Sequence, residues 1–396
     1  MLLVAGPPAL VSADAVDTGS ANEATPAPDS IRGIVQEGIR RTLAGQPAAA
    51  RELWAELSAR DPSEPAAPVF DAYTLFSLQV SDEYDTEFDA EIAQRAEQGI
   101  RLARARVVAD DTNADAHFLL GQALFHRARL KGIRGQLLSA GSDGEEARDH
   151  FERAVALRPA LVDAKLPLGM WYYYAGRLPS IIKWMSWLWF IPTGDSAEGL
   201  RFLREVYDAD GLYRSDAAFM LMNIYTFYEP DYPQAFGFAE ELVESYPNNL
   251  LVRNEYLELL VEACRFREAI EEAQRVEALP ADDPRRRAHR RMARIPHARA
   301  ELYMGRPERA RQLLEEFGPE GPERPYWGSA WVGLVRAQSF DVQGDRARAL
   351  EGYERVAALE PPRGSERAGL MAKQGLASPF EAVAPTCAPA ISATGG

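Results

Sequence analysis

Apolar residues recur three or four apart along most of this chain, in stretches long enough for helices and never in sustained alternation. Asp61-Pro62, Arg158-Pro159, Tyr246-Pro247 and Glu360-Pro361 punctuate the stretches, because proline removes a donor and constrains the residue before it. The pattern predicts paired helices over residues 31–376 and no central strand, an all-α chain.

Small and large residues return in a fixed order within the pairs. The clearest unit has Gly38 on one helix, then Gly45-Gln46-Pro47, Ala50, Trp54 and Leu57, closing at Pro62. The order comes back in Gly121, Leu124, Ala147, Phe151, Ala154 and Pro159, and in Gly169, Tyr172 and Gly176. Later units carry Ala235, Ala239 and Leu242; Ala269, Ala273 and Val276; Gly305, Ala310 and Leu314; and Gly344, Ala349, Tyr353 and Val356. Small residues let two helices cross closely, and large ones fill the groove against the next pair. This order resembles the tetratricopeptide repeat, which implies a right-handed superhelical solenoid of about six or seven helical hairpins. Residues between Pro62 and Asp111 leave room for one expanded unit, its first helix containing Val69 to Val80.

Insertions are expected near 127–144 and 177–194. The first is read as a lengthened helix followed by a loop at Gly141-Ser142-Asp143-Gly144. In the second, prolines 179 and 192 bracket an apolar run that is shorter than the roughly 20 residues a bilayer requires. It is expected to be a short amphipathic helix from Ile181 to Ile191, packed into or beside the core, with Trp184, Trp187, Trp189 and Phe190 as a candidate apolar groove. Leu178-Pro179, Gly194-Asp195 and Gly199-Leu200 give residues 160–275 a likeness to the family of the yeast inclusion-clearance protein and tetratricopeptide repeat protein 39. That resemblance implies a helical-repeat adaptor and brings no catalytic residues with it.

The ends differ from the middle. Residues 1–30 combine an apolar start with Ala13-Asp14-Ala15, a small-x-small cleavage pattern, but lack a basic segment and are broken by two prolines. They read either as a remnant export signal, placing the protein in the periplasm or outside the cell, or as an unstructured leader of a cytoplasmic protein. Residues 377–396 read as an unstructured tail. The two thiols, Cys264 and Cys387, build neither a disulfide framework nor a cysteine zinc site.

Charge and chemistry narrow the function. Lys and Arg number 44 against 59 Asp and Glu, so the net charge of −15 disfavours nucleic acid and anionic membranes. The five histidines form no metal-binding spacing. No phosphate loop or nucleophile elbow is present, and Asp82–Glu91, though acidic, lacks the glycine turn of a calcium loop. Neither an enzyme, a cofactor nor a metal is expected. The strong local exception to the acidic average is Arg285–Arg294, where Arg287, Arg290, Arg291 and Arg294 share a helical face suited to an acidic peptide. A solvated face balancing nearby carboxylates is the competing reading. The expected function is a scaffold holding a protein or peptide on the concave surface; the alternative is a module for an apolar ligand or membrane-associated component, using the Trp-rich insert.

Overall fold

The computed structural model describes residues 29–382, apart from 80, 81, 83, 177–193, 210, 322–324, 361 and 362. Among the described residues there is no strand. Helices follow in order as α1 (Ile31–Leu43), α2 (Pro47–Arg60), α3 (Ala66–Gln79), α4 (Asp89–Ala109), α5 (Ala114–Ile133) and α6 (Leu137–Leu157). Next come α7 (Lys165–Gly176), α8 (Ser196–Asp208), α9 (Arg214–Asn223), α10 (Tyr232–Ser245), α11 (Leu250–Glu262) and α12 (Phe266–Ala278). The series ends with α13 (Pro284–Met292), α14 (Arg294–Tyr303), α15 (Pro307–Leu314), α16 (Gly328–Val342), α17 (Arg346–Ala357) and α18 (Glu366–Ala377). A π-helical turn, Ile224–Tyr228, extends α9.

Consecutive helices pair as hairpins, α1 with α2 through α16 with α17, and first helices also pack on one another where α1 meets α3, α3 meets α5, α11 meets α14 and α14 meets α16. The fold is thus an all-α solenoid of tetratricopeptide-like hairpins. Sequence dictates the crossings. A Cβ on Gly38 would lie 2.0 Å from Trp54, and one on Gly121 would lie 2.8 Å from Phe151, so glycine lets each ring lie flat on the partner helix. At Gly199 the obstacle is backbone, the Tyr173 amide at 2.4 Å, which seats α8 directly on α7.

The hairpin turns share one device. Gly45, Gly135, Gly305 and Gly344 all have φ between 74° and 78°, the left-handed conformation that ends a helix. At the α11–α12 turn Cys264 takes that place, with φ 60°. Cys264 is disulfide-bonded. The sequence holds one other cysteine, Cys387, outside the described residues.

Two expectations change. The extra residues between Arg127 and Gly144 lengthen α5 and α6 around a tight turn; Gly141–Gly144 is helix, not loop, and Gly144 makes room for Trp171. The tail is seated where it begins: the Phe380 ring packs on Tyr303 at 5.5 Å, and its amide donates to buried Asp341. The Trp-rich insert and the leader up to residue 28 lie outside the described residues.

The solenoid turns tightly enough to touch itself. Tyr213, entering α9, packs on Phe70 of α3 and Phe118 of α5, with ring centroids 6.5 and 6.4 Å away. Tyr73 of α3 donates to Asp216 of α9 at 2.9 Å, and Asn249, capping α11, donates to the Leu43 carbonyl at 2.7 Å. One apolar core therefore runs from α1 to α11.

Candidate functional site

The first helices of the hairpins, α1, α3, α5, α7, α9 and α11, face the inside of the turn. Where they converge they leave a cavity of about 310 Å³. Its wall is mostly apolar, with Phe76, Phe125, Met170, Phe219, Met220 and Leu242 among its residues. Phe125, Met170, Phe219 and Met220 remain partly exposed, although a fully packed core would have covered them.

Three polar side chains lie among them. Arg129 sits over the Phe76 ring, its guanidinium carbon 4.7 Å from the centroid, and no carboxylate among the described residues pairs with it. Burial lowers its pKa. His126, one turn earlier on α5 and 3% exposed, stacks on Phe76, and neither ring nitrogen has a hydrogen-bond partner. Burial, helped by Arg129, pushes it down to about 3, so the ring is neutral. Asp216 accepts from Tyr73 on one oxygen and has no hydrogen bond on the other. Burial raises its carboxyl to about 7 against the pull of the Tyr73 hydroxyl.

Further along the same inner face the chemistry becomes ionic. Glu255, Glu258 and Glu262 line one side of α11. Arg299 of α14 reaches Glu258 and Glu262, and Arg367 of α18 also reaches Glu262. Burial would raise Glu262, but the two arginines hold it below its ordinary value. Glu258 is raised by burial despite Arg299. Arg299 also lies 4.6 Å from the Trp331 ring centroid, and Arg367 lies 5.3 Å from that of Phe227 in the π-helical turn. Glu255 has no ion-pair partner among the described residues; burial, then Glu258, raises it to about 7.

The arginines of α13 and the first residue of α14 have contacts within the fold. Arg285 pairs with Asp85 at 2.8 Å and with Glu87. Arg290 donates to the Leu279 carbonyl at 3.1 Å, and Arg294 lies 3.0 Å from Glu316 and 3.6 Å from Glu277. Arg287 donates to the Asp282 carbonyl and Arg291 lies 3.7 Å from Glu316, both with solvent beside them. Trp184, Trp187, Trp189 and Phe190 lie outside the described residues. His117 and His150 meet with their Nδ1 atoms 2.8 Å apart, and among the described residues no group of three or more His, Cys, Asp or Glu could hold a metal.

Sequence reading missed Arg129, His126, Asp216 and Glu255. The available signal was polar residues at three-residue spacing on an inner helix, as at His126 and Arg129, where the neighbouring hairpins are apolar.

No family model and no curated protein matches this sequence. Among solved structures, that of yeast Tom70 is similar over 88% of this chain and 82% of its own, at 12% identity and a TM-score of 0.39.

Proposed function

We propose that this chain is a non-catalytic scaffold that holds a segment of a protein partner along the inner face between α11, α14, α16 and α18. The observation that carries the reading is Glu255: a half-buried carboxyl on that face, raised by burial to about 7, with no ion-pair partner among the described residues. A desolvated carboxyl without a donor is costly, and a donor from a bound segment would recover that cost. Phe227 and Trp331 supply aromatic surface beside it, the type of residue that concentrates binding energy at interfaces. The spacing likeness to helical-repeat adaptors is consistent with this role. The acidic partner suggested by α13 would have to use Arg287 and Arg291, its more exposed arginines. Export of the chain is proposed with it, since a disulfide such as that at Cys264 persists in an oxidising compartment.

The test is site-specific photocrosslinking in the native host. A photoreactive residue at Phe227 or Trp331 is expected to capture one saturable protein partner, and one at Val108, exposed on α4, is not. Glu255→Lys should weaken that partner at least tenfold. Failure to crosslink any protein from the inner face, or equal capture from Val108, defeats the reading.

A further inference from the structure

The cavity between α3, α5, α7 and α9 has no part in that reading and has a chemistry of its own. We propose that it is a binding site for a small anionic amphiphile, a medium-chain monocarboxylic acid, whose head meets Arg129 and whose chain lies against Phe125, Met170, Phe219 and Met220. Three observations converge. The first is size: about 310 Å³ is at the lower end of small-molecule pockets, enough for one short chain and too little for a partner helix with its side chains. The second is the wall, where partly exposed aromatic and thioether side chains from three helices meet in one place, and methionine adapts to an irregular ligand.

The third is charge. Arg129 is a desolvated guanidinium whose neighbours among the described residues supply an aromatic face and a neutral imidazole but no paired anion. The cavity's carboxyl, Asp216, is engaged with Tyr73 and does not pair with it. A planar carboxylate fits a guanidinium with two parallel hydrogen bonds, and the unpartnered nitrogens of His126 beside it can serve the same head. One guanidinium balances one negative charge, which favours a carboxylate over a doubly charged phosphate.

The experiment titrates the full chain with decanoate and with decan-1-ol by calorimetry, below the concentration at which either self-associates. The unaltered protein should bind decanoate one to one, at least tenfold tighter than the alcohol. Arg129→Gln should abolish that preference while alcohol binding persists. Met220→Trp, which fills the cavity, should weaken both at least tenfold; if it does not fold, Met170→Trp makes the same test. No saturable decanoate binding, equal affinity for acid and alcohol, a preference that survives Arg129→Gln, or undiminished binding in the filled cavity each overturns the site. So does binding of an acidic apolar peptide there in the absence of decanoate binding. None of these outcomes bears on crosslinking at Phe227 or Trp331.

Discussion

Arg285 lies 2.8 Å from the carboxylate of Asp85 and also donates to the carbonyl of Leu78, 207 residues before it. The acidic loop before α4 and the basic helix α13, the two charge runs most conspicuous in the sequence, therefore serve partly to bind one end of the solenoid's turn to the other. Replacing Arg285 by alanine takes the cation from a nearly buried carboxylate and should cost about 2 kcal/mol, read from the urea midpoint. Adding Asp85→Asn should recover part of that loss; purely additive losses would mean that the pair is not coupled.

Glycines at helix crossings and on helix surfaces should respond in opposite directions. Gly38→Ala places a methyl inside the Trp54 ring and should destabilise by about 1–3 kcal/mol despite alanine's better helix propensity. Gly237→Ala on α10 meets nothing within 4 Å and should stabilise by about 0.5–1 kcal/mol. Thermal midpoints of the two variants, measured side by side, make the comparison.

Asp216 gives stability a pH dependence. Its folded carboxyl titrates near 7, well above the unfolded value near 4, so between those values the folded state binds more protons. Its contribution is fully present below about pH 4, falls as pH rises towards 7 and then levels off, with a slope of at most about 1.4 kcal/mol per unit. Asp216→Asn can still accept from Tyr73 and should gain stability relative to the unaltered chain at pH 8, a gain that shrinks towards pH 4. An unchanged difference across that range would contradict the assignment.

Cys264 combines a disulfide with a backbone conformation suited to glycine. Reduction of that bond should cost about 2–4 kcal/mol, the usual range for a disulfide in a folded protein. In reductant, Cys264→Gly should then exceed Cys264→Ser in stability by about 0.5–1 kcal/mol, since only the serine keeps a Cβ at positive φ. Cys264→Ser should behave in oxidising buffer as the unaltered chain does in reductant; a stability equal to that of the oxidised unaltered chain would contradict the disulfide.

The architecture was legible because it depends on local rules. Gly38 with Trp54 and Gly121 with Phe151 are spacing patterns within one hairpin, and the prolines that stop helices act on adjacent residues. The inner site was not legible because its members come from distant hairpins. Nothing about Arg129 in the sequence says that no carboxylate among the described residues pairs with it, and nothing about Tyr73 predicts a hydrogen bond to Asp216. At α13 the sequence shows four arginines that read as one helical face, but Arg294 opens α14, and packing brings Leu279, Glu277 and Glu316 beside Arg290 and Arg294.

Most helical solenoids behave as strings of interchangeable units, each stabilised by its immediate neighbours, so that units can be trimmed or duplicated at modest cost. The contacts of Tyr213 with Phe70 and Phe118, and of Asn249 with Leu43, remove that freedom here. The first hairpin packs on α3 and also touches the cap of α11, so an evolutionary gain or loss of one hairpin in the first half would break the seam rather than merely shorten the array. The same seam makes α1 to α11 a single cooperative block that must bring residues some two hundred positions apart together before it is stable, which predicts slow folding for so helical a protein.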